Sequence, residues 1–383
     1  MWSYPEGYKV IEEELWTAKQ RQMSSLHEIS YRGCFKAELP AWFIERYSNV
    51  GDIVYDPFAG RGTTALQASL SGRRFISNDL NPLSRIIIEP RISPPPITAI
   101  KKRLEEIDLT SCVIAPEEGE PDLAAFYNSQ TLLELRSLRS YLQLRRSRGS
   151  EDSIDSWIRM VATNRLSGHS RGFFSVYTLP PNQATSPERQ RKINEKYNND
   201  FSEYRSVKEI IIRKSRSLLK DVPDGFIGTG GLFLTSDAAD TYAIPSRSVN
   251  LVVTSPPFLN VLQYDKDNWL RLWFNHLDGE SISSRIALSG KLEGWEALMR
   301  KVFIEFTRIM QPGGHIAFEV GEVNAGSLNL DEVVFRLSQE MGFLPVATLI
   351  NRQKFTKTSN IWGIDNNNKG TNSNRIVLFR QGL

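Results

Sequence analysis

An apolar run, Asp52-Ile53-Val54-Tyr55-Asp56, leads directly into Pro57-Phe58-Ala59-Gly60-Arg61-Gly62 and then into the helix-forming stretch Thr63-Thr64-Ala65-Leu66-Gln67-Ala68. A short strand, a glycine-bearing turn and a helix in that order commit the chain to an α/β domain. Gly60 and Gly62 lack a Cβ and tolerate positive φ, so the turn backbone can approach a ligand closely. The turn would sit at the carboxyl end of its strand, where open α/β sheets bind ligands. Taken alone, a Gly-x-Gly sequence also fits an ordinary tight turn.

Asp79 narrows the choice. It ends the next apolar strand, Arg74-Phe75-Ile76-Ser77-Asn78, about 20 residues past the turn, where an acid can accept hydrogen bonds from both ribose hydroxyls of an adenosine. The bland alternative is a turn cap shared with Asn81. No Gly-Lys-Ser/Thr follows the glycines, which excludes a Walker-type phosphate loop.

The segment before residue 48 reads as a helical lead-in, with Glu12, Glu13, Glu14 and Trp16 ahead of a polar stretch. The strand–helix rhythm stops at Pro90, and Ser93-Pro94-Pro95-Pro96 reads as a rigid linker into a mostly helical, basic region. Strands resume at Leu232-Phe233-Leu234-Thr235 and Asn250-Leu251-Val252-Val253-Thr254. A helix from about Gly294 to Met310, the strand His315–Val320, a helix over Leu330–Met341 and two last strands at Val346–Ile350 and Arg375–Phe379 complete the pattern. The expected fold is therefore α/β: a seven-stranded, mainly parallel Rossmann-like sheet with a late hairpin and a mainly helical insertion. Its expected divisions are residues 1–92 for the cofactor turn, 93–226 for the insertion and 227–383 for the second half of the sheet domain.

The 383 residues carry a net charge of only +3. Between residues 130 and 220, however, 18 Lys and Arg face 9 Asp and Glu, which leaves the remainder net negative. Positive charge gathered in one region suits a polyanionic partner. Arg136, Arg139, Arg145, Arg146 and Arg148 are spaced to share a helix face, and Arg189, Arg191 and Lys192 form a second cluster, so both are candidates for phosphate contact. Between them, Asn164-Arg165-Leu166-Ser167-Gly168-His169-Ser170-Arg171-Gly172 forms a polar loop from which Arg165, His169 and Arg171 could reach base edges. A solvated helix face is the plainer reading of the arginines. Cys34 and Cys112 have no metal-ligand spacing, so free thiols and no metal are expected. The start of the chain shows no signal-peptide pattern, and no apolar stretch is long enough to span a bilayer, so a soluble, cytoplasmic protein is expected.

Thr254-Ser255-Pro256-Pro257-Phe258 follows a buried-type strand and should face the same sheet edge as the glycine turn. Two prolines fix φ, remove two backbone donors and leave a rigid loop of acceptors. An aromatic amine is a poor nucleophile because its lone pair is delocalised. Hydrogen bonds from that amine to the Ser255 side chain and the Pro256 carbonyl would localise the lone pair and stabilise the growing positive charge. Phe258 could stack on the base.

The stretch Asp56–Thr64 closely resembles the cofactor motif of the amino-directed DNA methyltransferases, and Thr254–Phe258 resembles their catalytic motif in its Ser-Pro-Pro, cytosine-N4-associated form. The segment from Phe35 to Ser48 is similar to the lead-in that packs near the methionine end of the cofactor, and Ser236-Asp237-Ala238 to the motif whose acid contacts the adenine amine. The resemblance covers about residues 27–90 and 230–383. It implies S-adenosylmethionine held by Phe35, Asp56, Phe58, Gly60, Gly62, Thr63, Asp79 and Asp237, and a flipped base of duplex DNA held by Ser255, Pro256, Pro257 and Phe258. It further implies a modification enzyme to which a companion restriction endonuclease could belong. Phe258 departs from the more usual tyrosine, and the basic insertion falls between the cofactor and catalytic motifs, where target recognition sits in one arrangement of the family. The alternatives are an RNA-base methyltransferase and a DNA-binding subunit without turnover.

Overall fold

The computed structural model describes residues 4–13, 23–31, 33–110, 120–180, 184–257, 264–285, 291–323, 328–352 and 373–382. Its first elements are β1 (Lys9–Glu13), α1 (Glu38–Tyr47), β2 (Ile53–Asp56), α2 (Thr63–Leu70), β3 (Arg74–Asn78) and α3 (Leu83–Ile92). Five helices follow: α4 (Ile97–Glu106), α5 (Ser129–Ser147), α6 (Ser153–Arg165), α7 (Pro187–Tyr197) and α8 (Val207–Leu218). The chain then returns to alternation with β4 (Gly231–Leu234), β5 (Val249–Thr254), α9 (Tyr264–Phe274), α10 (Gly279–Arg285), α11 (Leu292–Ile309) and β6 (Met310–Val323). Last come β7 (Leu328–Asn329), α12 (Leu330–Glu340), β8 (Leu344–Arg352) and β9 (Ser373–Arg380).

The strands lie in the order β1-β8-β9-β6-β5-β2-β3-β4, with β7 attached to β6. Pairing is parallel from β4 through β6, whereas β9 runs antiparallel between β6 and β8. All seven strands expected from the sequence are present, with the late hairpin formed by β8 and β9. Along β5 five of six residues are buried, which is why this central parallel strand reads as an unbroken apolar run.

Side chains alternate across the sheet, and each face meets its own layer. Val54, Leu251, Val253, Ala317, Ile376 and Leu378 pack with α1, α2, α3 and the helices of the insertion. Tyr55, Val252, Ile316, Phe318, Val377 and Phe379 pack with α11 and α12. Trp157, Ile158 and Val161 of α6 share the first cluster, so residues of the insertion and of the sheet domain bury one continuous core.

The sheet has two strands more than the seven expected, and one of them corrects the reading of the opening segment as a helical lead-in. Lys9–Glu13 pairs in parallel with β8, from Lys9 opposite Ala347 to Glu13 opposite Asn351. Val10 and Ile11 suit an extended backbone, and an edge strand leaves its flanking charges at the rim. The acidic composition that suggested a helix is outweighed by the open edge of β8.

Candidate active site

The glycine turn and the diproline corner lie side by side, because β2 and β5 are parallel neighbours in the sheet. Thr254 Oγ1 donates to Asp56 Oδ1 at 2.7 Å, tying the last residues of the two strands together. The same carboxylate oxygen accepts the Phe58 N–H at 3.1 Å, which turns the chain into the loop. Thr64, at the start of α2, donates to the Val253 carbonyl at 3.0 Å. Trp295 of α11 donates its Nε1–H to the Pro257 carbonyl at 3.0 Å. The corner is thus braced from three elements, with Pro256 buried and Ser255 partly exposed. Phe258 lies outside the described residues.

Gly62 has φ 74°, and a Cβ there would meet Ile88 of α3 at 2.3 Å, so both conformation and space require glycine. Gly60 has φ 51°, and the ring of Tyr31 covers it at 3.4 Å from where a Cβ would stand. Asp79 bridges two turns: its Oδ2 accepts the Gly60 N–H at 2.8 Å and its Oδ1 accepts the Asn81 N–H at 2.9 Å. The adenosine reading and the turn-cap reading of Asp79 are therefore compatible, because each carboxylate oxygen keeps a second lone pair. Asn78 exchanges two hydrogen bonds with Ser236, its Nδ2 donating to the carbonyl at 3.0 Å and its Oδ1 accepting the N–H at 2.9 Å. That pair fixes the Ser236-Asp237 turn beside the end of β3. Asp237 itself is exposed and accepts the Ala239 N–H at 2.9 Å.

Three acids close the edge. Burial raises Asp56 to about 7 and Asp79 to about 6, even though hydrogen bonds to each favour the charged form. Burial also raises Glu319 of β6 to about 7, against hydrogen bonds from Asn374 and Ser255. Glu319 was not singled out in the sequence. The available signal was an acid inside the apolar run His315–Val320, but its meaning depends on the strand order that sets β6 beside β5.

The lead-in is held from below by cations. Arg61 donates to the Ile29 carbonyl at 3.2 Å, the Phe35 carbonyl at 2.9 Å and Thr63 Oγ1 at 3.0 Å. Arg91 of α3 donates to the Leu26 carbonyl at 3.1 Å, Arg271 of α9 to Ser30 at 2.9 Å and Lys214 of α8 to Glu28 at 2.6 Å. Arg271 also lies over the Tyr31 ring, 5.6 Å from its centroid. Thr63, expected at the cofactor, spends its hydroxyl on Arg61. Phe35 and Phe58 are both partly exposed at this edge.

The basic insertion divides its arginines differently from expectation. Arg136 pairs with Glu120, and Arg139 is buried against Trp273 with its Nε–H on that residue's carbonyl at 2.9 Å. Arg145 bonds Asp155 at 2.8 Å and Arg146 pairs with Glu151 at 3.2 Å. The expected shared phosphate-binding face of this first cluster is thus largely taken up by internal ion pairs. Arg165 is 9 % exposed, with its guanidinium 4.0 Å from the Phe173 centroid, which corrects its placement on an exposed base-reading loop. His169 and Arg171 are exposed on that loop, Arg171 pairing with Glu203 at 2.9 Å. Arg189, Arg191 and Lys192 are exposed together on α7, where Arg191 pairs with Asp122.

A glycine turn held by an acid and a proline-stiffened corner share one edge of a Rossmann-like α/β sheet. Residues 4–88 match the family model described as DNA methylase, of the N6 and N4 methyltransferases. Over 318 residues the chain is 25% identical to Type II methyltransferase M.BsoBI of Geobacillus stearothermophilus, covering 72% of this chain and 58% of that protein. It is 35% identical over 107 residues to Type II methyltransferase M.MjaII of Methanocaldococcus jannaschii, covering 27% of this chain and 20% of that protein. Orphan methyltransferase M.BamHII of Bacillus amyloliquefaciens is 34% identical over 83 residues, 21% of this chain and 26% of that protein. The chain thus spans between 20% and 58% of the length of these curated relatives. A SAM-dependent methyltransferase from Methanosarcina mazei superposes loosely, with 8% identity, a TM-score of 0.33 and coverage of 89% of this chain and 97% of that one, a likeness too loose to bear on function. Over residues 4–88 the chain thus resembles the amino-directed DNA methyltransferases.

Proposed function

We propose that this chain transfers a methyl group from S-adenosylmethionine to an exocyclic amine of a flipped base in duplex DNA, with cytosine-N4 favoured over adenine-N6. The observation that carries the proposal is the 2.7 Å bond between Thr254 and Asp56, which ties the glycine turn and the Ser-Pro-Pro corner together at one edge of the sheet. The acids Asp56 and Asp79 fit the cofactor's charge: two carboxylates raised by desolvation gain most from a cationic ligand, and a sulfonium is one. Bound there, the cofactor supplies an electrophilic methyl carbon.

The residues of the chain do the positioning. The backbone at Gly60 and Gly62 admits the ligand, while Asp79 has lone pairs left for ribose hydroxyls and Asp237 stands at the adjoining turn. Ser255 and the Pro256 carbonyl are the acceptors that localise the amine lone pair, and the Trp295 bond to Pro257 keeps them preorganised. The Ser-Pro-Pro form of the corner supports the cytosine preference. The exposed cations Arg189 and Lys192 of α7 are the group assigned to DNA phosphates. A companion endonuclease would fit a role in restriction–modification.

Tritium transfer from labelled cofactor to duplex DNA, tRNA and rRNA tests the reading, and label confined to RNA rejects it. Sequencing of modified bases in DNA from cells expressing the protein identifies the base, with N6-methyladenine alone overturning the cytosine preference.

A further inference from the structure

Glu319 faces the diproline corner by register. Thr254, the last residue of β5, pairs with Phe318 of β6 in parallel strands, so Ser255 just past β5 and Glu319 within β6 lie side by side. Glu319 is 3 % exposed, and its carboxylate takes hydrogen bonds from the Ser255 side chain and from the Asn374 amide of β9. Among the described residues, the charged and titratable groups around it are Asp56 at the end of β2 and the Cys34 thiol, which itself faces Arg61, Arg91 and Arg271. An acid sealed in an apolar strand, with no cation paired to it among the described residues, is costly for the fold, and Ser255 is its link to the reacting edge.

We propose that Glu319, oriented by Asn374, is a positioning residue that accepts through the Ser255 hydroxyl the proton released by the methylated amine. The inference rests on the reading that Ser255 holds the amino group of the target base. The base nitrogen forms its bond to the methyl carbon as the carbon–sulfur bond breaks, and that bond's electron pair leaves with sulfur. The nitrogen then holds one proton too many. That proton passes to Ser255 Oγ while the Ser255 hydroxyl proton passes to Glu319, and the resulting carboxylic acid returns it to solvent after product leaves. The carboxylate must be ionised to accept, and its raised affinity for protons matches a neutral operating range.

The test is single-turnover methyl transfer to a duplex oligonucleotide at saturating cofactor between pH 5 and 9, with calorimetry of cofactor binding alongside. The wild-type rate is expected to rise through one ionisation near 7. Glu319→Gln should lose that ionisation and fall about tenfold or more on the plateau, with cofactor affinity within about twofold. Glu319→Asp should recover part of the rate and the pH dependence. Should Glu319→Gln not fold, Asn374→Ala serves: losing a bond that stabilises the carboxylate should move the ionisation upward. An unchanged profile in either variant, or a loss confined to cofactor affinity, overturns the relay. A wild-type protein silent on DNA at every pH rejects the proposed function itself, and the relay with it.

Discussion

The carboxylate of Asp79 accepts the Gly60 N–H at 2.8 Å, so the end of β3 holds the glycine turn that follows β2. Asp79→Ala removes the partner of two backbone donors, those of Gly60 and Asn81. Leaving such groups unpaired costs on the order of 1–3 kcal/mol. The variant should unfold at lower urea concentration and bind S-adenosylmethionine about tenfold more weakly or worse, whereas Asp79→Asn, keeping one acceptor oxygen, should fall between. Calorimetry showing unchanged affinity in Asp79→Ala would remove Asp79 from the cofactor site.

This pair also shows what a sequence can carry. Gly60 and Asp79 are legible because local chemistry, a φ requirement and an acid at a strand end, points to them without knowledge of distant neighbours. Buried parallel strands such as β5 are legible for a similar reason: both faces are covered, so the run is apolar throughout. β1 was not, since Lys9, Glu12 and Glu13 mask two β-branched residues and only the open edge of β8 makes them a strand. The arginines of α5 illustrate a third limit, because net charge counts cations while partners such as Glu120 and Asp155 arrive from other segments. Glu319 needed the order of the sheet as well as its own position.

Gly62 offers a test of packing. At φ 74° an alanine is strained, and its Cβ would stand 2.3 Å from Ile88. Gly62→Ala should therefore lower stability by roughly 2–4 kcal/mol, combining backbone strain with overpacking. Adding Ile88→Ala removes the clash but not the strain and opens a cavity, so recovery in urea melts should be partial at most. Full recovery would mean that φ at this position is unconstrained.

The acids predict a pH dependence of fixed sign. Asp56 and Glu319 at about 7 and Asp79 at about 6 lie above their ordinary values, so each binds protons more tightly folded than unfolded. Their contribution to stability is full below about pH 4 and is lost as pH rises through 6 to 7. A cationic cofactor beside Asp56 and Asp79 favours their ionised forms, so its binding should release protons and tighten from pH 5 to 8. The thermal shift given by S-adenosylmethionine should be larger at pH 8 than at pH 5. Calorimetry near pH 6.5 in two buffers of different ionisation enthalpy measures the released protons, and identical heats in both would contradict the assignment.

Arg271 joins the helix after the diproline corner to the segment that covers the glycine turn. It lies on α9, the helix after the diproline segment, donates to Ser30 at 2.9 Å and covers Tyr31, which in turn covers Gly60. α9 is also anchored in the insertion, through Trp269 on the Thr185 carbonyl at 3.1 Å and Asn275 on Thr163 at 2.9 Å. Arg271→Ala should raise the cofactor KM by about tenfold with a smaller change in kcat at saturation, because it frees the strap over the turn without touching Ser255. Arg271→Lys should restore little, since an ammonium lacks the planar fork that spans Ser30, Asn268 and the ring. An unchanged KM in Arg271→Ala would show that the strap is placed by Arg61 and Arg91 alone.

Exposure and pairing separate the two basic clusters, and salt dependence can tell them apart. Ser186 caps α7 by accepting the Arg189 N–H at 3.3 Å, and Arg189 and Lys192 project from that helix into solvent. Each phosphate contact removed should reduce the slope of log affinity against log salt by about 0.9, so Arg189→Ala with Lys192→Ala should reduce it by roughly 2 and weaken binding across DNA sequences alike. Arg145→Ala should leave that slope unaltered and lower the urea midpoint, because Arg145 shares Asp155 with Arg103 and Tyr141. Asp155 is fully buried, and fewer cations around it leave its charge less compensated. Fluorescence anisotropy of a labelled duplex over a salt series reads the first effect, and the reverse assignment of slope changes would move the DNA track from α7 to the face of α5.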